Sequence, residues 1–349
     1  MKPKIWFIFI LILLLPMFIF CASAYEVSSV NRASNPHDKL KLSSLNIPGN
    51  QGKVFLICID RVSLADIYQT DTPNLDLLIQ QAGIGLMTTN TGGSRSQRDA
   101  YLTMGAGTRV SASDKSPLGL HVDELHQGVA AGSLYKQITG MTAPADAIVN
   151  LGFAQAVRNN KNRPYTVNIG ALGTALKQAG LRFAVIGNSD TAGEYKRYSV
   201  SFMMDEEGIV PAGEVHESIL MEDLGRPFGV RTDYGKVMKT IEELWDTIDV
   251  FALELGDTSR AEDFRYEATD EMNQRYKSTA IEEGDAFIGE LIQRMDPGRD
   301  LLVIASALGS ANDLAENNRL TPVIVMGPGY DSSLLVSAST RRPGISTNL

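Results

Sequence analysis

The 349-residue sequence is poor in the residues that most often build metal centres and covalent frameworks. It has two cysteines, which excludes a disulfide-stapled fold and any cysteine-rich zinc module. It has four histidines, His37, His121, His126 and His216, a small stock from which to build imidazole-rich metal sites. Basic residues are in deficit: 32 Lys+Arg stand against 41 Asp+Glu, a formal charge of −9. That balance argues against nucleic acid as a partner and against nonspecific attachment to acidic lipid. What is present fits a globular chain: 44% of residues are apolar and 21% charged, enough for a sizeable core.

The longest apolar run, Ile5 to Phe20, follows Lys2 and Lys4. As a helix its sixteen residues would rise about 24 Å, short of a hydrocarbon core of about 30 Å. Ala22-Ser23-Ala24 comes next, a small-x-small cleavage pattern. Residues 1–24 therefore read as a signal peptide and the protein as exported, secreted or in the cell envelope. An uncleaved membrane anchor is the alternative. Phe20 is too bulky to precede a lipidated Cys21. Cleavage would leave Cys58 without an intrachain partner. Residues 25–51, rich in Ser, Asn and Lys with Pro36 and Pro48, read as a linker.

From residue 52 the pattern is that of an α/β domain. Continuous apolar runs occur at Val54–Ile59, Phe183–Ile186, Val250–Leu253, Leu301–Ile304 and Pro322–Met326. Such runs suit strands buried on both faces. Helical stretches at Gly170–Gly180, Asp233–Trp245 and Arg265–Met295 alternate with them. The expectation is a mostly parallel sheet sandwiched by helices. Residues of about 105–165, rich in Gly and Ala, read as an irregular cap or insertion. In such folds function gathers at the carboxyl ends of strands. That edge would carry Asp60, Asn188, Asp190, Glu254, Asp257 and Ser306. Any one of these acids could instead cap the following helix.

Two local motifs follow the first strand. Thr72-Pro73-Asn74-Leu75-Asp76-Leu77-Leu78 has a cap, a first-turn proline and an acid at the positive end of a helix. Gly83 then reads as the helix stop. The segment Thr91-Gly92-Gly93-Ser94-Arg95-Ser96 opens another helix that runs to Gly105-Ala106-Gly107. Glycines before a helix N-terminus let backbone N–H groups approach an anion.

A buried strand ending in Asp60, the Thr72–Leu78 motif and this loop together resemble the alkaline phosphatase superfamily, which includes phosphodiesterases, sulfatases and cofactor-independent phosphoglycerate mutases. The resemblance covers Val54–Gly107 and weakens beyond. It implies an alkaline phosphatase-like fold for residues 52–349. It implies metal ligation by Asp60 and Asp257, with Ser96 as nucleophile. Arg95 or Arg98 would clamp the ester oxygens. Ser94 and Thr103 compete for the nucleophile role. Counted from Ser96, the distance to Gly105-Ala106-Gly107 differs by one residue from the family spacing.

Two later motifs depart from that family. Its Asp-x-x-x-His would fall at Asp257 to Ala261, where alanine replaces histidine, and its Asp-His-Gly at Ala307-Leu308-Gly309, where both ligands are gone. Asp190 and Asp313 are the candidate acids to take the place of those ligands. His121 and His126, around Asp123, are five apart, a spacing that shares no helix face and suits a solvated loop. The chain ends on Arg341–Leu349, which reads like the approach to another element, so the domain is expected to be incomplete at its C-terminus. Two functions stay open. One is an exported hydrolase or transferase of phosphate or sulfate esters, small or polymeric, using Mg²⁺, Mn²⁺ or Zn²⁺. The other is a noncatalytic relative that binds an envelope polymer, a glycan or a protein. The oligomeric state is not fixed by these features.

Overall fold

A computed structural model describes residues 52–330 and 332–335. The signal peptide, the linker and the Arg341–Leu349 tail lie outside the described residues. The described chain folds around an eight-stranded sheet. Its strands are β1 (Val54–Cys58), β2 (Gly83–Thr88), β7 (Phe183–Asn188), β9 (Ala212–Glu214), β12 (Val250–Leu255), β13 (Leu301–Ala305), β14 (Leu320–Met326) and β15 (Ser333–Leu334). The order across the sheet is β15-β2-β14-β13-β1-β12-β7-β9. The smaller strands are β3 (Gly119–His121), β4 (Leu125–His126), β5 (Val129–Ala130), β6 (Ile148–Asn150), β8 (Ile209–Val210), β10 (Leu220–Glu222) and β11 (Val230–Thr232).

The sheet is mostly parallel, as the apolar runs predict. Strand β1 pairs in parallel with both β12 and β13, and β7 pairs in parallel with β12 and β9. Strand β14 alone runs against its neighbours, β13 and β2. Alternate residues feed opposite cores. Phe55 and Ile57 point with Phe251 and Leu253 into a layer closed by Leu75, Ile241, Phe287 and Leu291. Leu56 and Cys58 point with Val185 and Val303 into a layer closed by Tyr101, Val200 and Phe202. Both faces are thus covered, which is why these strands read as unbroken apolar runs. Gly83, read as a helix stop, instead begins β2 directly after the Pro73–Gln81 helix. Its run Gly-Ile-Gly-Leu-Met-Thr is too glycine-rich to stand out as a strand.

The region of about 105–165 carries β3 to β6 and the Ala131–Thr139 and Phe153–Asn160 helices. Strands β3, β6 and β8 form a separate small sheet with its own apolar cluster around Leu120, Tyr135 and Val149. The Gln97–Ala106 helix is drawn tightly against the Tyr198–Met203 helix. Gly105 makes this contact possible, since a Cβ there would sit 2.4 Å from the Phe202 carbonyl oxygen. The packing fixes the N-terminus of the Gln97–Ala106 helix above the carboxyl edge of the sheet.

Candidate functional site

Strand β1 delivers Asp60 to that edge. Its residues continue the ladder past Cys58, with the Ile59 N–H on the Ala305 carbonyl at 3.0 Å and the Arg61 N–H on the Leu308 carbonyl at 2.9 Å. Asp60 is buried, 2% exposed. Its Oδ1 accepts the Ala307 N–H at 2.6 Å, and its Oδ2 accepts the Gln97 side-chain amide at 3.0 Å. The same amide nitrogen donates to Ser259 Oγ at 2.8 Å. Burial raises the Asp60 carboxyl above its ordinary range, opposed by the Gln97 and Ala307 hydrogen bonds and by Arg61.

Asp257 follows β12, the strand beside β1, at the same edge. Its surroundings are different. Thr232 N–H reaches Asp257 Oδ1 at 3.0 Å, and Arg260 Nη2 reaches the same oxygen at 2.9 Å. Arg260 is itself 1% exposed. It also donates to Thr232 Oγ1 at 2.7 Å and to the carbonyls of Asn188 and Asp190. Burial, the largest influence, pushes the Asp257 carboxyl upward. Arg260 and Thr232 outweigh it, and the group is held below its ordinary value. Glu254, on β12, lies opposite Cys58 of β1. Burial pushes its carboxyl up to about 8, although Ser199 N–H and Ser189 Oγ–H both donate to it.

The other residues singled out in the sequence take these places. Ser96 is the N-cap of the Gln97–Ala106 helix. Its hydroxyl donates to Asp99 Oδ2 at 2.7 Å, where it meets the Ser94 hydroxyl at 2.6 Å. Both serines are turned onto Asp99. Gln97, one residue on, is the side chain that reaches Asp60, and residue-type reasoning missed it. The signal was the one-residue discrepancy in spacing to Gly105-Ala106-Gly107. Thr103 lies inside the helix, buried, against the Val110 backbone. Arg98 pairs with Asp114 at 2.6 Å, and Arg95 is exposed in the loop. Asp190 is taken by Arg197 Nε at 2.9 Å and by the Lys196 N–H at 2.6 Å. Asp313 closes a capping box with Ser310. His121 faces Glu214 at 3.4 Å and His126 lies beside Tyr195, both away from Asp60.

A divalent ion needs several lone pairs converging on one point. Here the two carboxylates in the expected places already receive N–H donors, with Gln97 and Ala307 on one and Arg260 and Thr232 on the other. Ala261, Ala307 and Leu308 bring no ligand atoms in their side chains. Among the described residues no group of three or more His, Cys, Asp or Glu is arranged to hold an ion. The residues present do not fit the two-metal centre that the resemblance implies.

Above Gln97 opens a cleft of about 460 Å³, with Arg61, Ser96, Arg98, Lys196 and Tyr198 among its lining side chains. Arg61 adopts φ +63°, a left-handed conformation uncommon outside glycine. The cost of such backbone is on the order of 1–3 kcal/mol, borne where the surroundings over-determine it.

No protein-family model and no curated protein matches the chain. Solved structures do resemble it. The PH0037 protein from Pyrococcus horikoshii is 14% identical, with 84% of this chain and 89% of that chain covered and a TM-score of 0.42. A protein in the alkaline phosphatase superfamily from Vibrio parahaemolyticus is 15% identical, with 82% and 62% covered and a TM-score of 0.47. The lipoteichoic acid synthase LtaP from Listeria monocytogenes is 12% identical, with 84% and 67% covered and a TM-score of 0.45. Likenesses this faint carry nothing about activity.

Proposed function

We propose that this chain is an exported binding protein on an alkaline phosphatase-like α/β scaffold, with no ester-hydrolase activity of its own. The observation that carries this reading is the occupation of Asp60: both of its oxygens accept N–H groups of the protein, from Ala307 at 2.6 Å and Gln97 at 3.0 Å. Asp257 supports it, since the buried Arg260 guanidinium supplies internally the positive charge that such a carboxylate requires. Ser96, held by Asp99 at the helix start, has the surroundings of a cap and not of an activated nucleophile. Export rests on the signal-like residues 1–24.

Metal analysis with aryl phosphate, phosphodiester and sulfate assays tests the central claim. The mature protein is expected to carry no stoichiometric metal, to melt at the same temperature with chelator or with added Mg²⁺, Mn²⁺ or Zn²⁺, and to hydrolyse none of the esters. Turnover that needs an added ion and disappears in both Asp60→Asn and Ser96→Ala would restore the hydrolase. N-terminal sequencing of exported material should begin at Tyr25; an intact Met1 on stable membrane-bound protein would make residues 1–24 an anchor instead.

A further inference from the structure

The charge deficit of the whole chain hides a local excess. The Thr91–Ser96 loop carries Arg95 and packs on two other segments. Its Gly92 N–H reaches the Val110 carbonyl at 2.9 Å, and Arg163 Nη2 donates to the Gly92 carbonyl at 2.8 Å. Tyr165 donates to the Arg109 carbonyl at 2.7 Å, and the Asn160 amide pairs with the Ser111 N–H at 2.9 Å and the Ser111 carbonyl at 2.7 Å. These contacts bring Arg109, Arg158, Lys161 and Arg163 to one surface with Arg95. Arg95, Arg158 and Lys161 are exposed, and Arg109 and Arg163 are half-buried. None of them has an acidic partner among the described residues. Arg163 is held by neutral groups, the Gly92 carbonyl and Asn160 Oδ1 at 3.3 Å. From Thr89 to Lys115 the only acids are Asp99, buried and holding Ser94 and Ser96, and Asp114, taken by Arg98. From Phe153 to Asn168 there is none. On the far side, where Arg319 donates to Asn90, Arg319 and Glu316 add one charge of each sign. Five positive charges thus stand uncompensated on a chain of formal charge −9. Screening over about 8 Å at physiological salt leaves such a surface governed by its own charges and not by distant acids.

We propose that this surface binds an anionic polysaccharide, a chain of sugars bearing carboxylate or sulfate groups, laid across the three segments. It names a partner for the binding protein proposed above and rests on that reading. Four of the five cations are arginines, whose planar fork matches an oxyanion as lysine does not. An acidic membrane surface draws either cation alike. On these segments Val157, 42% exposed, is the only large aliphatic side chain that reaches solvent, too little to insert into lipid or to anchor an acidic peptide. Tyr165 is 40% exposed, with its hydroxyl fixed on Arg109. It sets a rigid ring among the cations, on which a sugar ring can lie. Double-stranded nucleic acid carries a charge every 1.7 Å or so and is repelled by the rest of this acidic chain. A polysaccharide with its charges spread along the sugars meets less of that repulsion.

Calorimetric titration of the folded mature protein at physiological salt tests this. The probes are polygalacturonate, dextran sulfate, neutral dextran, polyglutamate, single-stranded DNA and vesicles of phosphatidylglycerol in phosphatidylcholine. At least one acidic polysaccharide should bind about tenfold more tightly than every probe outside that pair, with an affinity that falls as salt rises. Which of the two binds distinguishes a carboxylate from a sulfate ester. The triple variant Arg95→Gln/Arg158→Gln/Lys161→Gln, at exposed positions without side-chain partners among the described residues, should lower that affinity about tenfold. Lys136→Gln/Lys239→Gln/Arg275→Gln removes as many exposed cations elsewhere and should change it less than about twofold. Equal losses in the two triple variants would overturn the proposal. Absence of binding to both acidic polysaccharides would end it without requiring any variant to fold. Tighter binding of polyglutamate, single-stranded DNA or the vesicles would overturn it in favour of that partner. None of these outcomes bears on whether Asp60 serves a hydrolase, which the ester assays decide.

Discussion

Asp60 and Asp257 close neighbouring parallel strands and are nearly equally buried, yet the protein stabilises them in opposite ways. Asp60 receives neutral donors, and its carboxyl is raised. Asp257 receives a buried guanidinium, and its carboxyl is lowered. Burial acts in the same direction on both. The partner decides the sign, because only a full positive charge within contact distance repays the loss of hydration of a carboxylate. The edge therefore holds one carboxyl pushed below its ordinary range and another raised above it.

Making the same substitution at both positions should break the comparison most sharply. Asp257→Asn leaves Arg260 buried and uncompensated, and is expected to cost about 3–5 kcal/mol in denaturant unfolding. Asp257 contributes stability that is present above its unfolded pKa and lost as pH falls through the lowered folded value, so the deficit of the variant should shrink in acid. A cost below that at Asp60 would show that Arg260 is satisfied by the Asn188 and Asp190 carbonyls alone.

Glu254 gives the next largest effect. Its carboxyl is raised from 4.5 to about 8, so the folded protein keeps a proton that the unfolded chain releases. Stability should then fall as pH rises through that window, by a few kcal/mol in all at about 1.4 kcal/mol per pH unit. Glu254→Gln should flatten this slope, read as the pH dependence of the denaturant midpoint. An unchanged slope would place the titration on another group, with Asp60 the first to test.

Asp60→Asn follows. The amide keeps one acceptor but turns an NH₂ toward a donor, at an expected cost of about 1–3 kcal/mol. The difference between this value and that for Asp257→Asn measures the value of the internal cation. Ser96→Ala is the smallest change, about 1 kcal/mol for a lost helix cap. A much larger loss of stability would mean that the Ser94–Ser96–Asp99 cluster does more than close a helix.

The layered fold was legible because burial on both faces leaves an unbroken apolar run in the chain. All five such runs became strands of the main sheet. Strand β2 was not legible, since its glycines give no periodicity, and the reversed direction of β14 depends on connections rather than composition. The candidate site was readable in part. Asp60 and Asp257 announced themselves by standing just past buried strands. Gln97 did not, because a glutamine at a helix start looks like any solvated polar residue.

What the sequence alone determined is therefore the alternation of buried strands and helices, and the edge at which polar groups collect, since both follow from local hydrophobic pattern. Only the tertiary structure decided what those groups do. Gln97 lies 37 positions from Asp60 and Ala307 lies 247 positions away. No local pattern encodes which side chain turns to a neighbour brought in from so far along the chain. That choice rests on helix packing at Gly105 and on the course of the backbone after β13, and it is what turned one of the protein's own N–H donors onto each oxygen of Asp60.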